Sequence, residues 1–166
     1  MTPKTQLQRW GAVMREVAQL DSIIAECTAT IAQIDAWLAM NLASATAGVG
    51  DYSGMPRNGS TDTVVERRVL ECEELRNNLL MTRLTVGHNL GGCINKRARL
   101  LAQVQDEQAC VYGLSVEDKH IVWQRYVEGE TEESIAASMH LGRSSVHRRL
   151  EVVWAKIGQK SDRNTT

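Results

Sequence analysis

Phenylalanine is missing altogether from these 166 residues, and aromatic residues make up only 4% of the chain. With Ala, Leu, Val, Gln, Glu and Arg dominant, and little β-branched alternation outside helical spacing, an all-α fold is expected. Charge of one sign is also lacking. The formal net charge is −1, so no global field draws the chain to nucleic acid, and any such affinity has to come from local clusters. The four cysteines, Cys27, Cys72, Cys93 and Cys110, are widely scattered, with no Cys-x-x-Cys pair and no His at ligand spacing beside them. That pattern indicates neither a zinc site nor a disulfide framework, and no metal or cofactor is expected. The longest apolar runs, such as Ile34–Met40, contain an Asp or fall far short of a bilayer span, and no basic-then-apolar signal opens the chain. A soluble, cytoplasmic protein without a membrane partner is therefore expected.

Catalytic constellations are equally scarce. His88, His120, His140 and His147 have no Ser, Cys or carboxylate partner in a recognisable arrangement, so a non-enzymatic function is expected. Gly87, Gly91 and Gly92 neither follow a strand nor lead into Gly-Lys-Ser/Thr, which sets a phosphate loop aside.

What is present is helical periodicity. Trp10, Val13, Val17, Leu20, Ile24, Cys27, Ile31, Ile34 and Leu38 alternate three and four apart, a heptad seam that zips one helix against another. Arg9, Arg15, Glu16, Asp21, Glu26, Gln33 and Asp35 lie between them on a solvated face, in a helix from near Thr5 to near Ala45. Residues Ala47–Thr61 hold four glycines and a proline, and there the chain is expected to turn. Ser60, Thr61 or Asp62 then caps a second helix through Val65, Val69, Cys72, Leu75, Leu79 and Val86, returning antiparallel to the first. Gly87, Gly91 and Gly92 predict a kink, a break or a close crossing, with helicity resuming through Ile94, Leu101 and Val104. The seam has two possible partners, the second helix of the same chain or another copy; intrachain packing plus some dimer contact is expected, Trp10, Ile24 and Ile31 offering more seam than one kinked helix covers.

Between Glu74 and Asp106 there is no acidic side chain, whereas Arg76, Arg83, Lys96, Arg97 and Arg99 all fall inside. The stretch reads either as a solvated helix face or as a surface for phosphates or an acidic partner. Met55–Gly59 likewise reads as an inter-helix turn or as a docking loop for DNA or RNA polymerase.

A new pattern begins after the Gly hinge at 111–113. Ser115 caps a helix from Val116 to about Val127 that buries Ile121, Val122 and Tyr126, with Asp118 placed as in a capping box. Gly129 ends it; Thr131 starts a short helix with Glu132 and Glu133 in its first turn and Ile135, Ala136 and Met139 as its apolar face. His140, Leu141 and Gly142 form the next turn, with glycine expected at the positive φ, and Ser144 is expected to cap the last helix. In that helix Val146, Leu150, Val153 and Ile157 share a stripe, so Ser145, Arg148 and Val152 face away, flanked by Arg143, Ser144, His147 and Arg149. Cationic side chains at a helix N-terminus suit phosphate, and Arg148 has the reach for guanine edges. This is the constitution of a helix-turn-helix whose last helix enters the major groove of duplex DNA.

The segment Leu114–Ile157 resembles region 4 of the sigma-70 family of bacterial sigma factors. The residues that carry the resemblance are Arg125 and Tyr126, Gly129, Ile135 and Ala136, then Ser144, Ser145, Val146, Arg148, Arg149 and Leu150. Gln124 departs from it, standing where such modules place an apolar residue. With the coiled-coil helix and the Met55-Pro56, Ser60 and Asp62 element, the whole chain resembles bacteriophage late-gene transcriptional regulators of the ArpU/RinA type. That resemblance implies a phage or prophage activator of packaging, morphogenesis or lysis genes, acting in the cytoplasm or nucleoid of a bacterial host.

The expected organisation is an antiparallel, coiled-coil-like helical hairpin over residues 1–110, a helix-turn-helix over 114–158 and a disordered tail over 159–166. Expected partners are double-stranded DNA, host RNA polymerase and a second copy of the chain. Arg148 and Ser145 are the candidates for base contacts, and Arg143, Ser144, His147 and Arg149 for phosphates. Two other classes fit the same residues: a polymerase-binding or anti-sigma-like protein, and a DNA-packaging adaptor of the small-terminase kind.

Overall fold

The computed structural model describes the backbone of residues 2–47 and 62–163, with side chains at 2–40, 67 and 69–159. The expected turn with Met55, Pro56 and the caps Ser60 and Thr61 lies outside the described residues, as does the end of the tail at 164–166. The described residues are helical, without a strand: α1 (Pro3–Ala47), α2 (Asp62–Gln103), α3 (Gln105–Tyr112), α4 (Val116–Trp123), α5 (Glu132–Ser138) and α6 (Arg143–Arg163). A π-helical turn, Gln124–Glu128, continues α4.

Two compact units are present. The first joins residues Met1–Asp21 to Asn95–Thr166, and the second is Ser22–Ile94. In the first, the start of α1 supplies Leu7, Trp10, Val13 and Val17 to the same buried core as Ile121, Ile135 and Leu150. Each such side chain stabilises the fold by about 1.5–3 kcal/mol on leaving water. The core therefore runs past Gly113 without interruption, Val111 and Leu114 on either side both being buried. Trp10, expected to have seam to spare for another chain, is only 2% exposed, its ring edge-to-face with Trp123 at 6.2 Å.

Three local expectations are corrected. Gly87, Gly91 and Gly92 lie inside an uninterrupted α2, and a Cβ at any of them meets nothing within 4 Å, so there is neither a break nor a close crossing. The interruption comes later, at Val104, whose φ of −123° ends α2 and whose side chain is fully buried. The tail expected from 159 is helical through Arg163. By length and composition, α1 over Pro3–Met40 is long and apolar enough to cross a membrane, a test that core helices of soluble proteins and signal sequences also pass.

In the second unit the seam of α1 turns inward as the heptads require: Ile34 is buried, and Ile24, Cys27, Ile31 and Leu38 are half-buried. On α2 the seam holds at Leu79 and Val86, but Val69, Cys72 and Leu75 are exposed. Arg83 grips Asp35 through Nε at 2.6 Å and Nη2 at 3.1 Å, and this bidentate contact holds the Asp35 carboxyl below its ordinary range. In the first unit Lys96 pairs with Glu16 at 2.7 Å and Arg97 with Asp21 at 2.6 Å. Three of the five cations in the acid-free stretch thus face carboxylates of α1.

Candidate nucleic-acid interface

Ser115 begins the C-terminal helices as expected, its hydroxyl accepting from the Asp118 amide at 3.2 Å. Thr131 does the same for α5, accepting from Ser134 at 3.2 Å. Between them the π-helical turn is held from outside. Arg15 Nη1 donates to the carbonyls of Tyr126 at 2.9 Å and Val127 at 3.3 Å, and Gly11 lets α1 approach so closely that a Cβ there would stand 2.1 Å from Tyr126 O. Gly129, at φ 81°, closes the turn. Gln124 shares a 3.4 Å hydrogen bond with Ser138 of α5.

The α5–α6 turn is built differently from its sequence expectation. The positive φ, 53°, belongs to His140 and not to Gly142. His140 N donates to Ala137 O at 3.4 Å and Leu141 N to Ala136 O at 2.9 Å, the paired bonds of a Schellman ending with histidine in the glycine position. Gly142 instead caps α6, its carbonyl accepting from Ser145 and Val146, which puts Ser144 inside the first turn. Beneath lies the expected stripe: Val146, Leu150, Val153 and Ile157 are all buried, together with Ile135 and Ala136 of α5. Beside the stripe Trp154 donates its indole N–H to the Tyr126 hydroxyl at 2.8 Å, with Lys4 Nζ 5.8 Å from its ring centre. Burial pushes the Tyr126 hydroxyl above its ordinary range, against the lowering effect of that hydrogen bond.

Arg143, Ser144, Ser145, His147 and Arg148 are exposed on the first two turns of α6, with Arg148 directly opposite that stripe. Their electrostatics are less one-sided than the sequence of α6 indicates. Arg143 pairs with Glu133 at 2.8 Å, and His147 lies 3.3 Å from Glu132 and 3.5 Å from Glu151. Arg149 turns away from the exposed face, with Nη1 2.5 Å from Glu117 and 3.3 Å from Asp118, so α4 and α6 are joined by it. The Glu117 hydrogen bond raises its already high pKa further. The Asp118 carboxylate, expected in a capping box, is spent on Arg149. Arg148 has no ion-pair or hydrogen-bond partner among the described residues.

The acids are what sequence reasoning missed. Glu132 and Glu133 were assigned to the dipole of their own helix, yet the α5–α6 turn also brings them beside α6. Exposed pairs of this kind are weak and salt-screened, so Arg143 and His147 remain free to exchange carboxylate for phosphate. Comparison with protein-family models, curated proteins and solved structures found no match.

Proposed function

We propose that the chain is a sequence-specific DNA-binding transcriptional regulator and not an enzyme, with α4, α5 and α6 as a helix-turn-helix. The observation that carries this reading is the placement of Arg148 and Ser145. Both are exposed on the first two turns of α6, Arg148 directly opposite a fully buried stripe and Ser145 on its flank, near the helix N-terminus where a major-groove helix presents its reading residues. Among the described residues Arg148 is unpaired and therefore able to present its bidentate fork to a guanine edge. Arg143, Ser144 and His147 are the phosphate group, and Arg149 positions α6 on α4. α1 and α2 form the helical hairpin that sets oligomer state. The sigma-70 region 4 pattern and the resemblance to phage late-gene regulators of the ArpU/RinA type support an activator of packaging, morphogenesis or lysis genes in a bacterial cytoplasm or nucleoid.

Selection of bound sequences from random duplexes tests this directly. A recovered consensus that Arg148→Ala relaxes is the expected result; no enrichment over the input pool refutes it. A second reading is favoured by the carboxylates Glu117, Glu132, Glu133 and Glu151 interleaved with the cations. That mixed surface fits a protein partner such as host RNA polymerase, in an anti-sigma-like role. Capture of polymerase without DNA, together with failure of the selection, decides for it.

A further inference from the structure

The outer face of α2 carries a second apolar stripe that the described residues leave uncovered. At 100° per residue, Leu70, Leu80, Met81 and Leu84 share one side of the helix with Gly87 and Gly91. The four apolar residues are 60%, 37%, 64% and 64% exposed, and a Cβ on either glycine would meet nothing within 4 Å. Leu70, Leu84 and Gly91 repeat at multiples of seven, as do Leu80, Gly87 and Ile94, which is the period of a helix that supercoils with a partner. This stripe lies apart from the seam of α2 that meets α1, where Leu79, Val86 and Leu90 are half-buried.

We propose that α2 pairs antiparallel with the α2 of a second copy, Leu84 and Leu80 of each seating on Gly87 and Gly91 of the other. Both leucines and both glycines are four residues apart, so one antiparallel register satisfies the two contacts at once, and twofold symmetry doubles them. Large side chains then meet small ones, the condition for close packing without voids. A parallel pair would instead set glycine against glycine and leave gaps. Charge selects the same direction. Glu71, Glu73 and Glu74 lie between Leu70 and Leu80, and from Arg76 to its last residue α2 has no carboxylate. In the antiparallel register Glu73 and Glu74 come level with the neighbourhood of Arg99 of the other copy; parallel pairing opposes Glu73 to Glu73. This dimer differs from one built on the α1 seam, whose Trp10, Val13 and Val17 are buried in their own chain. It is independent of the nucleic-acid reading.

Sedimentation equilibrium of the full chain under reducing conditions tests the pairing. The chain weighs 18.5 kDa, so the expected mass is 2 × 18.5 = 37 kDa. Leu80→Asp with Leu84→Asp is expected to give the monomer mass with far-ultraviolet helicity retained, because both positions are exposed. Gly87→Leu with Gly91→Leu is expected to do the same while helicity holds or rises, leucine being the better helix former. That combination separates a lost interface from a lost fold. Glu73→Lys with Glu74→Lys weakens the antiparallel dimer, and adding Arg99→Glu restores it. A monomeric wild-type chain, a dimer that survives the glycine substitutions, or a dimer strengthened by the lysines overturns the proposal.

Discussion

Gly11 has no side chain because the backbone of the π-helical turn occupies its place, Tyr126 O lying 2.1 Å from where a Cβ would be. Gly11→Ala should therefore destabilise the protein by about 1–3 kcal/mol in chemical denaturation, despite the better helix propensity of alanine. His140 presents the reverse case, a side chain where glycine is preferred. Replacing it by glycine removes the left-handed strain and should raise stability by about 0.5–1 kcal/mol, whereas His140→Val should lower it. Tyr126 gives a pH signature. Its folded pKa is raised, so the stability it contributes is intact below the ordinary tyrosine pKa of about 10 and falls as pH rises through the folded value. Thermal unfolding should show that alkaline loss in the wild type and much less of it in Tyr126→Phe. Neither Gly11 nor His140 was legible in the sequence. One depends on a neighbour more than 100 residues away, and the other on a turn that spends its glycine on the following helix cap.

At the scale of the elements, the helices declared themselves where period and caps agreed. Ser115, Thr131 and Gly129 mark ends that local hydrogen bonding alone dictates, and the stripe from Val146 to Ile157 follows from helical geometry. α2 was misread because glycine propensity, about 1 kcal/mol per residue, is small beside the cooperativity of a 42-residue helix. The role of Arg149 was also out of reach, since Glu117 and Asp118 meet it only once α4 and α6 pack. Arg149→Met should lower the melting temperature, and Arg148→Met should leave it unchanged, a contrast that differential scanning calorimetry reads directly. On the other helix pair, Asp35 is held below its ordinary pKa by Arg83. Its contribution is present above the usual carboxylate range and is lost as pH falls through the depressed value, so Asp35→Asn should blunt the acid side of the stability profile at low salt.

For the molecule as a whole, the two compact units divide the work differently from the sequence expectation. The helices carrying the candidate interface share one core with the start of α1, so a truncation that removes Leu7 and Trp10 would take away part of their own support. The all-helical class was readable from composition and period; the sharing of α1 was not, because a heptad seam does not say which partner covers each turn. On the proposed DNA-binding reading, the near-zero net charge and the carboxylates beside α6 predict a modest, salt-dependent affinity, with Arg148 supplying the specificity. The decisive measurement is a fluorescence-anisotropy titration of a selected duplex and a scrambled one across a salt series, with wild type and Arg148→Ala. The account predicts that wild type discriminates between the duplexes and that Arg148→Ala loses about 1–3 kcal/mol of that discrimination while keeping most of the salt dependence. Equal binding of both duplexes by wild type, or undiminished discrimination by Arg148→Ala, would contradict it.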